Sequence, residues 1–342
     1  MVIKYFREFI LKEDSEHLNF KSMSVIGKIY NGIVNISPTS EVLMRMLYWK
    51  NVEKLNKFSP NKSNRIERTV PVTFDEVLSF LSDCGIGKGS LVVLHSSFDN
   101  LKPIDVTREE LINRLLDFIG DEGTLAAPVI RRYRECDKLS LTDLLNDKEA
   151  EIKCNYDLQK TKITSGVLAY TLQHHEGSVT SRHPLNPLTA VGPLAEAMME
   201  HNLDGDAPSP HGPVSCWKFC ADHDAYIVHL GVNFGHHMTM QHVVAECNPD
   251  WDMNGWYHQR QFTIKDSDFT TEKAVRERRL KWTMYIPEIN NRKDMVKAGV
   301  AKVANIKGFP VSVVKAQDLI SYYKSRRGGT YPYLFPFGRP SK

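Results

Sequence analysis

No run of apolar residues in this sequence approaches the ~20 needed to cross a bilayer. Each short apolar stretch near the N-terminus is broken by charge (Lys4, Arg7, Glu8, Lys12, Glu13), so no secretory leader is predicted and a cytoplasmic location is expected. An excess of one charge is also missing. The 44 Lys and Arg against 41 Asp and Glu leave a formal net charge of +3, too little to argue for a nucleic-acid or membrane partner. Cysteine is scarce, with six in 342 residues at irregular positions (84, 136, 154, 216, 220, 247), which excludes a disulfide framework and predicts reduced thiols. Cys216 and Cys220, with His211 or His223 nearby, suggest zinc, but there is no second well-spaced ligand pair and Trp217 between them reads as a packed helix. No metal is expected there or at His236-His237, which reads as a polar loop.

What the chain does have is material for a large core, 42% hydrophobic with 25% charged residues, enough for one main α/β domain with additions. Residues 1–70 are polar and Lys/Asn-rich, with one helical stretch near Val42 to Leu55, and read as an N-terminal helical appendage. From Pro71 the pattern tightens. Thr73 caps a helix that ends at Gly85; Leu91 to His95 reads as a buried strand, Thr107 caps a second helix stopping at Gly120, and Thr124 to Pro128 reads as another strand. This alternation is the mark of an α/β fold. Residues 131–160 read as a long, partly helical excursion. Further helices are predicted from Ser165, from Pro193 and over Thr239 to Glu246, and further strands at Ala225–Val232, Gln261–Ile264 and Val311–Val314, with a charged helix-forming segment between the last two. Residues 71–325 thus read as the main α/β domain, and 326–342 as a Gly/Pro/aromatic tail.

Among 13 histidines, any single one is more often structural than catalytic. Two are raised by context. His183 precedes Pro184, which biases it to extended backbone in a turn, and His242 lies four residues before Glu246, so that both share one helical face. An imidazole supported by a carboxylate is suited to act as a general base, the carboxylate fixing the tautomer and stabilising the imidazolium. Backbone amides or hydroxyls near Ser96 and Ser97 are candidates to receive the oxyanion. A hydrolase built on Ser97 and His183 is the competing reading, weakened by the lack of a Gly-x-Ser-x-Gly elbow.

The ordered blocks Gly85 to Ser97, Ile119 to Pro128, Thr164 to Leu168, Ser181-Arg182-His183-Pro184 with Gly192, Ser209-Pro210, Leu230-Gly231-Val232 and Thr239 to Glu246 together resemble the aminoglycoside 3-N-acetyltransferase family over about residues 72 to 320. The resemblance implies a three-layer α/β/α fold around a central mixed β-sheet. It also implies an acyl-CoA-dependent N-acyltransferase acting on an amino sugar, with acetyl-CoA or another acyl-CoA as co-substrate. By position it makes His183 the base, with His242, Glu246 and Asp204 as further catalytic residues, and His95, Ser96, Ser97 and Ser209 as cofactor-binding residues. The chain departs from the family at the late pair, spaced by four residues where three are usual, and at Pro187. Oligomeric state stays open, a homo-oligomer being compatible. Between acceptors, Arg131, Arg132, Arg134 and Arg182 tilt the expectation toward a nucleotide-linked amino sugar over an antibiotic aminoglycoside, since a diphosphate favours cations. Trp251, Trp256 and Tyr257 read as core or as a sugar platform.

Overall fold

The structure, a computed structural model, describes residues 32–56, 70–248, 251–267, 269–326 and 332–338. The charged N-terminal runs and part of the tail read above lie outside these. A seven-stranded mixed sheet organises the molecule. Its strands are β1 (Leu91–Ser96), β2 (Thr124–Pro128), β4 (Val179–Thr180), β5 (Leu188–Val191), β6 (Tyr226–Leu230), β9 (Ala301–Ile306) and β10 (Phe309–Lys315), and they lie side by side in the order β4-β5-β2-β1-β6-β10-β9. The central β1 is parallel to both β2 and β6, while β5 and β10 run antiparallel on the flanks.

Strand alternation divides the core into two layers. Leu91 and Val93 face one layer with Trp217, Val243 and Leu319, whereas Val92 and Leu94 face the other with Phe74, Leu111 and Leu168. On the second face lie α2 (Phe74–Asp83), α3 (Arg108–Ile119) and α5 (Val167–Gln173); on the first, α6 (Ala195–Met199), α7 (Cys216–Asp222), α8 (Gln241–Glu246) and α10 (Ala316–Ser325). The three layers and the predicted helix caps are present: Thr73 and Thr107 each form a capping box, with Glu76 and Glu110.

Two segments differ from the sequence expectation. A second sheet joins β3 (Cys154–Asp157), β7 (Tyr257–Asp266) and β8 (Phe269–Arg278), and β8, a ten-residue strand antiparallel to β7, occupies part of the stretch expected to be helical. Only Val275 of β8 is buried, so its apolar alternation is too weak to see, and the charged edge is solvated instead. A helix does follow, α9 (Glu288–Lys297). The excursion 131–160 holds a short helix, α4 (Leu141–Leu145), but ends in β3.

The N-terminal helix α1 (Pro38–Asn56) docks through buried polar groups rather than an apolar stripe alone. Glu41 accepts from the amides of Ile289 and Asn290, at 2.9 Å each, and from the Asn290 side chain, while Arg45 pairs with Glu288 at 3.1 Å. Val42 and Trp49 are buried, while Leu47 is exposed. At the other end, Tyr333 of the tail is buried against Trp256 and Trp282.

Candidate active site

The parallel strands β1, β2 and β6 end side by side at Ser96, Pro128 and Leu230. The chain leaves β1 toward β2 on one side and reaches β6 on the other, which makes a topological switch point. Gly231, just past β6, sits at φ +67°, and a Cβ there would lie 2.9 Å from Leu101 and 3.1 Å from the Ser97 carbonyl. Only glycine lets the two loops approach so closely. Within the sheet His95 stands in register with His229, their rings 5.0 Å apart, and the rings of Trp217, His211, His242 and Tyr333 then follow at centroid spacings of 5.9, 6.1, 5.1 and 6.1 Å. A line of aromatic groups thus runs from the strand end to the α8 helix.

Glu246 does not pair with His242. Its Oε1 lies 3.1 Å from His211 Nδ1, both side chains at most 2% exposed. A carboxylate can only accept, so Nδ1 carries the proton and the lone pair of the neutral ring is on Nε2, which lies 3.4 Å from the side-chain Nδ2 of Asn186. Burial pushes the Glu246 carboxyl up, but His211 and the Arg278 guanidinium outweigh it and hold it down at about 2. For His211, burial draws the imidazole down and Glu246 opposes it. The pair is therefore a carboxylate, balanced by Arg278, beside a neutral imidazole.

His242 has the opposite tautomer. Arg278 donates to the Tyr333 hydroxyl at 2.8 Å, and that hydroxyl in turn donates to His242 Nδ1 at 2.6 Å. The ring proton then sits on Nε2. Burial, followed by Arg278 and His211, keeps this imidazole well below its ordinary range. Two neighbouring histidines are thus fixed as one acceptor and one donor.

The other expected residues are distributed unevenly. His183 belongs to this cluster electrostatically, feeling both His211 and Glu246, and burial takes it down to about 4. Its two ring nitrogens, however, face backbone groups: Nδ1 lies 3.0 Å from the Leu185 carbonyl oxygen and 3.2 Å from the Leu185 nitrogen, and Nε2 3.3 Å from the Pro208 carbonyl. Asp204 lies apart from these groups. It is exposed and pairs with the exposed His201 at 2.9 Å. Ser96 and Ser97 are partly exposed at the end of β1, whereas His95 and Ser209 are buried. Among the described residues no hydrogen bond joins Ser97 to an imidazole, so the hydrolase triad gains no support. Trp256 stacks flat on Trp282 at 4.1 Å and is 1% exposed, which makes it core rather than a platform. Cys216 and Cys220 are buried on α7, and burial pushes the Cys216 thiol up to about 12. Asp147, Glu149 and His258 bring ligand atoms within 4.8 Å of one another, but Arg279 bonds Asp147, Arg260 bonds the adjoining Glu277, and the three carboxylates together hold His258 above its ordinary value against the effect of burial. Their charges are already matched.

A sequence profile of the aminoglycoside 3-N-acetyltransferase family matches residues 93–326. The chain belongs to that family. It is accordingly an acyltransferase. Relatives include aminoglycoside N(3)-acetyltransferase VIII of Streptomyces fradiae, 24% identical over 274 residues, which span 76% of this chain and 94% of that protein. Aminoglycoside N(3)-acetyltransferase IX of Micromonospora chalcea is 26% identical over 51% of this chain and 62% of its own length. Among solved structures, AAC-IIIb in a binary complex with CoASH superposes with a TM-score of 0.61 at 17% identity, over 76% of this chain and 99% of that one. A variant of AAC(3)-IVa in complex with apramycin superposes at 0.56 with 18% identity, over 77% of this chain and 94% of that one. These likenesses establish the family's fold for residues of the central sheet and its helices.

The residue that sequence reading misplaced is His211, weighed there only as a zinc ligand. The available signal was the four-residue spacing of His242 and Glu246, a departure that turns the carboxylate toward another segment. Arg278 and Tyr333 had no comparable signal, since one lies on a strand read as helix and the other in the tail.

Proposed function

We propose that this protein transfers the acetyl group of acetyl-CoA to an amine of an aminoglycoside, with His211 as base, Glu246 as its support and His242 as donor to the oxyanion. Acetyl-CoA is the co-substrate. The observation that carries the reading is the buried His211–Glu246 pair, whose tautomer leaves Nε2 able to take a proton. The substrate amine attacks the thioester carbonyl, forming the C–N bond, and its proton passes to His211 Nε2. Charge builds on the carbonyl oxygen, where His242 Nε2–H and backbone amides near Ser96 and Ser97 would stabilise it. Collapse breaks the C–S bond, and the departing thiolate recovers the proton from His211. Glu246 stabilises the transient imidazolium and fixes the ring. His183 is assigned to positioning, as the clamp between Leu185 and Pro208. Ser96 and Ser97, at the switch point, are the favoured contacts for the coenzyme, with the buried His95 just before them on β1.

An aminoglycoside is preferred to a nucleotide-linked amino sugar because of the named relatives and because three of the four arginines behind the other expectation are engaged within the chain. Arg131 bonds the Thr161 carbonyl and Gln173, Arg132 bonds Asp137, and Arg182 bonds Asp266. The test is release of free coenzyme A thiol from acetyl-CoA with each acceptor class. Turnover with aminoglycosides and none with nucleotide-linked amino sugars is expected, and the reverse selectivity would overturn the acceptor assignment.

A further inference from the structure

Away from this site, Cys136 ends the 3-10 turn Arg134–Cys136 and Cys154 opens β3, their sulfurs 3.6 Å apart. Arg260 of β7 reaches both from the same nitrogen, Nη2, at 3.2 and 3.0 Å, while its Nη1 bonds Glu277 at 2.9 Å. The arginine is itself only 4% exposed. A neutral thiol is a poor acceptor, so a buried guanidinium aimed at two sulfurs is an arrangement suited to a thiolate. Cys154 is fully buried, but Cys136 is partly exposed. The hydrogen bond from Cys154, then the Arg260 charge, hold the Cys136 thiol down to about 7, while its partner is pushed up. No other cysteine shares this setting: burial raises the thiols of Cys84, Cys216, Cys220 and Cys247.

We propose that Cys136 and Cys154 form a peroxide-reactive pair, Cys136 as the attacking thiolate and Cys154 as the resolving thiol, which closes to a disulfide. In the first step Cys136 Sγ attacks one oxygen of a hydroperoxide; the S–O bond forms, the O–O bond breaks, and the departing oxygen takes a proton to leave as water or an alcohol. Cys136 is then a sulfenic acid. In the second, Cys154 Sγ attacks that sulfur, the S–S bond forms, the S–O bond breaks, and the hydroxide departs as water with the Cys154 proton. The two thiols supply the two electrons that reduce the peroxide. Closure shortens the sulfur separation to about 2.05 Å.

The pair also sits on the supports of the active-site turn. Tyr133, in the turn before Cys136, donates to the Pro184 carbonyl, and Tyr156, two residues after Cys154, donates to the Ser181 carbonyl at 2.8 Å. Oxidation there would act on the segment that carries His183.

The experiment treats the reduced full-length protein with stoichiometric hydrogen peroxide at neutral pH, followed by intact mass and non-reducing peptide mapping. A loss of about 2 Da, a single Cys136–Cys154 link and reversal by dithiothreitol are expected. Cys154→Ser should trap Cys136 as a sulfenic acid captured by dimedone, and Cys136→Ser should leave Cys154 unmodified. Arg260→Gln should slow alkylation of Cys136 by iodoacetamide about 10-fold, through loss of thiolate; should that variant not fold, the two serine variants decide. Retention of all six thiols under peroxide, linkage through other cysteines, or equal reactivity in Cys136→Ser would overturn the proposal.

Discussion

Two adjacent imidazoles, His211 and His242, are the chemical centre of the proposed mechanism. A carboxylate facing His211 and a donating hydroxyl facing His242 make one ring a base and the other a donor, a distinction no sequence spacing contains. Replacing Glu246 with Gln keeps the shape but removes the charge that supports the imidazolium. The expected outcome is a fall in kcat of about 10²-fold with KM close to that of the parent, together with a lower melting temperature at neutral pH because the buried carboxylate is held by His211 and Arg278, checked by coenzyme A release and thermal denaturation. Replacing Tyr333 with Phe removes the acceptor for Arg278 and the donor to His242. Turnover should fall about 10-fold, and stability by about 1–3 kcal/mol for buried polar groups left unsatisfied, read from kcat and from urea unfolding. At this scale the sequence displayed Glu246 and His242 but concealed their partners. Helical spacing places two side chains on one face without saying which neighbour each one meets, and Asp204 shows the converse, a motif position whose carboxylate is spent on surface His201.

Elements here are held by polar anchors as much as by apolar faces. Glu41 of α1 receives three hydrogen bonds at the N-terminal end of α9, in a setting where burial pushes its carboxyl up and Arg45 and the two amides oppose that. Glu41→Ala leaves those donors unsatisfied and Arg45 short of a partner charge. A loss of about 3–5 kcal/mol is expected from breaking such a buried arrangement, measured by urea denaturation of the full chain. A change under about 1 kcal/mol would show that α1 is not anchored there. Helices with caps, such as those begun by Thr73 and Thr107, were legible because the capping box is local. β1, β2 and β6 were legible because buried parallel strands read as continuous apolar runs. β8 was not, since its charged residues are satisfied across the sheet, as where Lys153 meets Glu272 and His258 meets Glu277.

Over the whole molecule, the site's buried charges predict how the fold responds to acid. Burial takes His183 from 6.5 to about 4 and His229 to about 3, so the folded state binds fewer protons than the unfolded chain below 6.5. Their contribution is complete above that pH and is lost as pH falls. Glu246, lowered from 4.5 to about 2, adds stability present above 4.5 and lost on the way down to its folded value. Urea midpoints should therefore decline continuously from about pH 6.5 downward, and His183→Asn should flatten the upper part of that decline. A midpoint constant down to pH ~4 would contradict the neutral, buried imidazoles. The three-layer architecture could be read from alternating elements and ordered motifs, whereas the proposed active centre draws on segments as distant as Asn186, His211, Glu246, Arg278 and Tyr333, which only the folded chain assembles. The most direct test of the account is the steady-state rate of acetyl-CoA-dependent aminoglycoside acetylation by His211→Asn and His183→Asn, measured side by side on folded protein. A fall in kcat of about 10²–10⁴-fold is expected for the first and of no more than about 10-fold for the second. Near-parental turnover by His211→Asn, with the large loss at His183→Asn instead, would contradict it.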